Sequence, residues 1–323
     1  MAADIKTPGL DALGAGDDIV AGFQLAELPV RGRVARLGPV IDEILSAHDY
    51  PPSVASLVGE AALLALLIGD AMKFEGRLVI QASGGNTNPG GIEGKGAVSF
   101  VVADYVPGEG VRGFAKFDAG KVAALEIERG ARPGAQALLG EGHFAMTIDQ
   151  GPDMAPYQGV VSLDGPSLAS CAEHYFHQSE QLHTRIRLAV GEHYAGEGKR
   201  AWRAGGAMIQ RLAGDDVRAS QDEDFEHVRT LFDTIEDAEL LDPDVASGRL
   251  LYRLFHEDGV RLQSQRPVTR RCTCEAERLM RILASFPPED RDYMARDGRI
   301  VMTCEYCNKD WTFAPEDVEA AGR

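Results

Sequence analysis

The chain has 323 residues, of which 44% are hydrophobic, and its formal net charge is −17. This length predicts about two domains with enough apolar side chains for a true core. The negative charge argues against binding to nucleic-acid phosphates. No basic stripe offsets it near the C-terminus, because residues 265–323 contain ten basic and eleven acidic side chains.

No targeting or membrane-spanning segment is expected. The first 18 residues contain four aspartates and no apolar stretch long enough for a signal peptide, which predicts a cytoplasmic protein with reduced thiols. The most apolar stretch, Ala61 to Ile68 within Ser53 to Lys73, stops at Gly69, well short of the roughly 20 residues that a bilayer requires. It is typical of a buried helix with Ser53 as its N-cap.

The first part of the chain alternates short β-like runs with turn residues. A second helix is predicted from Ser167 to Gln181, so residues 18–181 are predicted to form an α+β domain with an antiparallel-type sheet. The segment from Ser83 to Gly96 is rich in Gly and Asn and predicts a mobile loop; no Lys and hydroxyl pattern follows that would bind phosphate. The predicted strands are Arg77 to Ala82, Ala97 to Ala103, Val111 to Phe117, His143 to Asp149 and Tyr157 to Leu163.

Residues 182–264 have a different character and are predicted to form a linker region. Two β segments, His183 to Val190 and Ala201 to Leu212, come first. Asp215 to Asp242 then contains eleven acids and only two arginines, and a further helix is predicted from Val245 to Phe255. The acidic helix carries a narrow apolar stripe, so its stability should depend on docking. The stripe consists of Phe225, Val228, Leu231, Phe232, Ile235, Leu240 and Leu241.

Residues 265–323 contain four of the five cysteines in two close pairs. The pairs are Cys272 with Cys274 and Cys304 with Cys307. Four thiolates supplied two by two suit a tetrahedral Zn²⁺ and leave no open position for a substrate, so a structural or releasable metal is expected. A pair of disulfides is the alternative, and a reducing compartment favours the metal.

Two other classes of protein fit part of the sequence. A zinc ribbon that binds nucleic acid would use the four cysteines structurally, but the net charge opposes it. A thiol-dependent enzyme could use Cys171 with His174 or His177, yet no third orienting residue is evident. Because Cys171 lies on a predicted helix far from the pairs, we interpret it as a small buried side chain.

The residues around the cysteines resemble those of one family. Residues 268–271 (VTRR) precede the first pair, and residues 304–313 (CEYCNKDWTF) contain the second. Upstream, residues 156–159 (PYQG), 175–181 (YFHQSEQ), 111–115 (VRGFA) and 205–210 (GGAMIQ) complete the pattern. Together they resemble the 33 kDa chaperonins, also called heat shock protein 33, over about Val20 to Val318. The departures include His183, where proline is common, and Glu275, where serine is frequent.

The resemblance implies a redox-regulated, ATP-independent holdase and not an enzyme. One Zn²⁺ bound by Cys272, Cys274, Cys304 and Cys307 would hold the reduced protein inactive. Oxidation to the disulfides Cys272–Cys274 and Cys304–Cys307 would release the metal and unfold the C-terminal domain. The linker helices would then undock, and the protein would dimerise and bind unfolded or oxidised clients. No nucleic acid and no membrane is implied as a partner.

Overall fold

A computed structural model describes residues 16–72, 75–85, 96–130, 132–151, 153–194, 198, 200–212 and 218–321, with the side chains of 218–221 excepted. The chain divides into two compact units, the first ending at Arg270 and the second beginning at Arg271. Helices and antiparallel sheets are mixed in the first unit, which confirms the predicted α+β class.

Among the described residues, the first unit contains ten strands and eight helices. The strands are β1 (Ile19–Leu25), β2 (Val30–Leu37), β3 (Arg77–Gly84), β4 (Val98–Val106), β5 (Gly110–Phe117), β6 (Gly142–Asp149), β7 (Tyr157–Ser162), β8 (Thr184–Tyr194), β9 (Arg200–Arg211) and β10 (Val260–Pro267). The helices are α1 (Pro39–Leu45), α2 (Pro52–Ala71), α3 (Ala119–Arg129), α4 (Ala135–Leu139), α5 (Leu168–Ser179), α6 (Arg218–Phe232), α7 (Asp237–Leu241) and α8 (Ser247–Phe255).

Two five-stranded antiparallel sheets organise the first unit. One has the order β10-β1-β2-β9-β8 and the other β5-β4-β3-β6-β7. In the first sheet Ala21 of β1 lies opposite Val34 of β2 and Gln265 of β10, so strands from both ends of this unit are neighbours. The predicted boundary at residue 181 is therefore not a break in the fold, because β8 and β9 complete a sheet that begins with β1 and β2.

Helix α2 packs against both sheets and forms the centre of the core. Seventeen of its 20 residues are buried, as expected for a helix that is apolar on every side. It is also the one helix among the described residues that is long and apolar enough to span a membrane, and 89% of its most apolar window is buried inside the protein. Its N-cap is Pro51, so the predicted cap at Ser53 is wrong; the Ser53 hydroxyl instead donates to Glu126 at 2.6 Å.

Helices α6, α7 and α8 cover the other face of the sheet that contains β1. The predicted acidic helix is in fact two helices, because residues 233–236 turn between α6 and α7. Five of the seven residues of its apolar stripe are buried, with Phe232 and Val228 at 0% exposure, and the other two are partly buried. These side chains share one core cluster with Phe23 of β1 and Phe255 of α8, whose rings stack at 5.9 Å.

Two buried arginines of the sheet fix the segment between α7 and α8. Arg36 of β2 donates to the carbonyl oxygen of Asp242 at 2.6 Å, to that of Glu239 and to the Ser247 hydroxyl at 3.1 Å. Arg203 of β9 donates to the carbonyl oxygen of Leu241 at 2.7 Å. The carbonyl groups left open at the end of α7 thus obtain donors from the sheet.

Replacing Arg36 with methionine should loosen α7 and α8. The substitution leaves carbonyl groups without donors in a site where Arg36 is 1% exposed, so we expect a loss of about 3 kcal/mol in the free energy of unfolding. Hydrogen exchange should show less protection between residues 237 and 255. Arg31→Met is the matched control, because Arg31 lies on the same strand and donates to Gln210. Equal protection in both variants would contradict this anchoring role.

Most predicted strands and helices are confirmed within one to four residues at their ends. Three strands of the first unit were not predicted, namely β1, β2 and β10. They belong to the sheet that also contains β8 and β9. Strand β10 and the three residues after it belong to the first unit, which ends at Arg270 and not at residue 264. The predicted mobile loop from Ser83 to Gly96 falls mostly on residues 86–95, which lie outside the described residues.

The second unit is small and has its own modest core. It contains α9 (Ala276–Ala284), α10 (Pro288–Met294), β11 (Ile300–Thr303), β12 (Asp310–Phe313) and α11 (Pro315–Ala321). Strands β11 and β12 form an antiparallel hairpin. Its buried apolar side chains are Leu283, Ile300, Phe313 and Val318, a cluster too small to hold some fifty residues without further support.

Candidate metal centre

Two backbone segments of the second unit present the four paired cysteines. Cys272 and Cys274 lie in the extended stretch just before α9. Cys304 and Cys307 lie in the turn between β11 and β12, where Asn308 N–H donates to the Cys304 carbonyl at 2.7 Å. Asn308 adopts a left-handed conformation with φ of 55°, which suits asparagine and closes the turn tightly. Both sulfurs of this turn therefore face the same side.

The four sulfur atoms converge on one point. All Sγ atoms lie within 4.8 Å of one another. The Cys272 and Cys304 sulfurs are 3.8 Å apart, those of Cys274 and Cys307 3.4 Å, and those of Cys272 and Cys274 3.1 Å. Sulfurs bound to a tetrahedral Zn²⁺ at about 2.3 Å would be about 3.8 Å apart. The donor set and its spacing therefore fit a tetrahedral metal ion.

The electrostatics of the cluster also favour a cation. Burial disfavours the thiolates, but hydrogen bonds from Cys274, Cys307 and Cys304 lower the pKa of Cys272 to about 7. Burial, these hydrogen bonds and the charge of Cys272 raise the pKa of Cys274, and burial raises that of Cys307. The Cys272 thiolate is thus stabilised at the expense of those of Cys274 and Cys307, and a positive charge at the centre would favour the ionised form of these thiols.

The aromatic residues after the second pair belong to the core of this unit. Phe313 is 6% exposed and packs in the small apolar cluster. Trp311 packs against the same cluster, and Lys309 Nζ lies 4.0 Å from the centre of its ring. Both side chains therefore pack within the second unit.

Cys171 is remote from the cluster and has the surroundings of a packed thiol. It is 1% exposed in the central core of the first unit. Burial raises the pKa of its thiol to about 11, which disfavours the nucleophilic thiolate. His174 and His177, the suggested partners, line a separate cavity with His183. The surroundings of Cys171 thus do not favour the thiol-enzyme alternative.

Replacing Cys171 with alanine should leave metal content and oxidant response unchanged. The change removes one buried sulfur and should cost only about 1 kcal/mol of stability. Metal analysis and an aggregation assay before and after peroxide would check this result. If the variant no longer responded to oxidant while keeping its metal, Cys171 would have to be part of the response.

Comparison with known proteins agrees with this architecture. The profile of the Hsp33 protein family matches residues 18–314. The 33 kDa chaperonin of Caulobacter vibrioides (strain NA1000 / CB15N) is 49% identical over 303 residues, covering 94% of this chain and 96% of its own. The 33 kDa chaperonin of Shewanella loihica is 35% identical over 304 residues, covering 94% of this chain and 95% of its own.

A solved structure shares the fold. The crystal structure of the 33 kDa chaperonin, a heat shock protein 33 homologue, from Thermotoga maritima gives a TM-score of 0.75 at 19% identity and covers 95% of this chain and 98% of that one. The fold with two antiparallel sheets and a buried central helix is thus shared with that structure. The chain belongs to the Hsp33 family, which confirms the resemblance predicted from its motifs.

The arginines that hold the linker helices could not be predicted from the sequence. Arg36 and Arg203 lie in strands that otherwise bury apolar side chains, and a charged residue at such a position is the only signal that the sequence offers. Arg185 of β8 was also missed; its Nε is 2.7 Å from an Asp233 carboxylate oxygen at the end of α6.

Proposed function

We propose that this chain is a redox-regulated, ATP-independent holdase that binds unfolding proteins when its four paired cysteines are oxidised. The observation that carries the proposal is the convergence of Cys272, Cys274, Cys304 and Cys307, four sulfurs within 4.8 Å of one another in a unit with a small core. Membership of the Hsp33 family supports the chaperone class.

In the reduced state the four sulfurs would hold one Zn²⁺. Bound zinc keeps thiolates reactive and supplies about 10–16 kcal/mol of apparent folding free energy in small zinc modules. The apolar cluster around Leu283 and Phe313 could not replace that contribution. The reduced second unit is therefore expected to stay folded only with its metal.

Oxidation would remove the ligands in pairs. A thiolate attacks peroxide to give a sulfenic acid and hydroxide, and the partner thiolate then attacks that sulfur, forms the disulfide and releases a second hydroxide. Two peroxides thus accept four electrons from four thiolates. The distances allow Cys272 to pair with Cys274 or with Cys304, at 3.1 and 3.8 Å. We propose the pairs Cys272–Cys274 and Cys304–Cys307, because neighbours in sequence stay close after the unit unfolds.

The linker helices would transmit this change. Within the first unit, residues 218–255 are held against the sheet by their buried apolar side chains and a few arginine contacts, so their docking is a local equilibrium. Undocking would expose Phe225, Phe232 and their neighbours together with the sheet face beneath them. Such an apolar surface suits unfolded or oxidised client proteins, and homodimerisation would accompany activation.

Each part of the chain then has a proposed role. The two sheets and central helix of the first unit would be the chaperone domain, residues 218–255 the linker and residues 271–323 the redox switch. We place the protein in the cytoplasm, where thiols are kept reduced until oxidant appears. Nucleic acid and membranes are not proposed as partners, given the net charge of −17, and no enzymatic activity is proposed.

An aggregation assay tests this function. The purified protein should suppress aggregation of a heat-unfolded client after peroxide and not before it, without ATP. RNA binding at low salt, measured on the same samples, distinguishes the zinc-ribbon alternative. Tight RNA binding with no effect on aggregation in either redox state would overturn the proposal.

A further inference from the structure

Two histidines meet where α5, β8 and the linker helix α6 come together. His177 is at the end of α5, and His183 follows a turn in which Gln181 has φ of 54°. Their ring centres are 5.7 Å apart at 71°, and the His183 ring is 5.8 Å from that of Phe225. Phe225 belongs to the docking stripe of α6 and is 4% exposed. The imidazole of His183 thus packs directly against the linker.

This junction contains a cavity of about 350 Å³ lined by charged side chains. Each cation that faces it is already paired with an acid. Arg185 of β8 pairs with Glu173 of α5 at 3.0 Å and with Asp233 at 2.7 Å, and Arg229 of α6 pairs with Glu226. Arg211 of β9 does not line the cavity but lies near His183, and it pairs with Asp222 of α6. His174 of α5 also lines the cavity. A protonated His183 would therefore add a positive charge beside arginines whose acids are already engaged.

We propose that His183, together with His177, makes the docking of α6 sensitive to pH, so that mild acid releases this helix while the four paired cysteines remain reduced. Protonation would place a positive charge beside Arg211 and a second imidazole, on a ring that packs against Phe225. Outward movement of α6 would relieve that arrangement by admitting water.

The neutral form of His183 is favoured in the folded protein, and this sets the direction in which pH changes the docking of α6. Burial, Arg211 and His177 lower the pKa of His183, while Asp222 and Glu226 act in the opposite direction. Docking is therefore complete above the ordinary imidazole pKa of about 6.5 and weakens as pH falls through the lower value of the folded state.

A carboxyl group beside α7 should act in the opposite direction. Glu60 of α2 lines a second cavity with Asp237 of α7. Burial raises the pKa of Glu60 to about 7, and Asp237 adds to that shift. Mild acid neutralises Glu60, so any change at α7 should be toward tighter docking. Release in acid should therefore be confined to α6 and should spare α7.

Hydrogen exchange of the reduced, zinc-loaded full chain tests this inference. Protection of residues 222–232, corrected for intrinsic exchange, should fall several-fold between about pH 7.5 and about pH 5.5. In His183→Gln the fall should be absent, and in the exposed His177→Gln it should be smaller. His193→Gln, on β8 outside this cavity, is the matched control and should behave like the parent protein.

Zinc content in the same samples separates this effect from the cysteine centre. The lower pH is set at the most acidic value at which metal content is unchanged. Equal loss of protection in the parent protein and in His183→Gln would overturn the inference, as would constant protection in the parent protein. Chaperone activity in acid would follow only if undocked α6 is active, as proposed above. If the redox proposal failed and this inference held, chaperone activity would not change with peroxide, while the protection of α6 would still depend on pH.

Discussion

Replacing Cys304 with serine should abolish stoichiometric zinc binding by the reduced protein and unfold residues 271–323. The variant leaves three thiolates and a hydroxyl that is a poor zinc ligand, so most of the roughly 10–16 kcal/mol supplied by metal binding should be lost. Metal analysis should show far less than one ion per chain. In the parent protein zinc affinity should fall in acid, because protons compete for the same sulfurs.

Thr312→Ala is the matched control for that experiment. Thr312 lies on β12 of the same unit with an exposed side chain, so its loss should change neither zinc content nor folding. We expect Cys304→Ser to suppress client aggregation without oxidant, because loss of the metal imitates oxidation. Undiminished zinc at one equivalent in Cys304→Ser would contradict the assignment of the four ligands.

Replacing Phe232 with alanine should activate the reduced, zinc-loaded protein. Phe232 is 0% exposed between α6 and the sheet, so its truncation should cost about 3–5 kcal/mol. That loss is large compared with the stability of a segment held by one stripe and a few polar contacts. Aggregation suppression should rise without oxidant, and hydrogen exchange should increase between residues 222 and 255 while the cysteine unit stays protected.

The matched control is Glu223→Ala, an exposed change on the same helix. It should leave both activity and exchange at the level of the parent protein. If Phe232→Ala kept full protection and stayed inactive when reduced, the linker would not transmit the signal. If it opened and remained inactive, the client-binding surface would lie elsewhere in the protein.

The cysteine cluster could be predicted from sequence because its determinants are local. Each pair lies within one short segment, so the geometry inside a pair is set by a few backbone angles, and only the closure of the intervening segment is long-range. The apolar stripe on α6 could also be predicted from the sequence, since helical spacing places Phe225, Val228 and Phe232 on one face. The sheet face that this stripe packs against could not be predicted, because hydrophobic periodicity does not identify the partner of a helix.

The missed features depend on contacts between distant residues. Strand β10 pairs with β1 across more than two hundred residues, and no local pattern encodes that choice. The role of Arg36 could not be predicted from its place in a strand, because that role depends on the carbonyl groups of Glu239 and Asp242. The same holds for the contact between His183 and Phe225, which forms only because α6 returns to the end of α5, where His177 lies beside His183.

The most direct test of the account is a peroxide titration of the full chain, with zinc release, free thiols and aggregation suppression measured on the same samples. The account predicts that one zinc ion per chain and four thiols are lost together, that activity rises in proportion, and that the buried Cys171 remains reduced. Full activity in the reduced, zinc-loaded protein would contradict it, as would complete zinc release with no gain in activity.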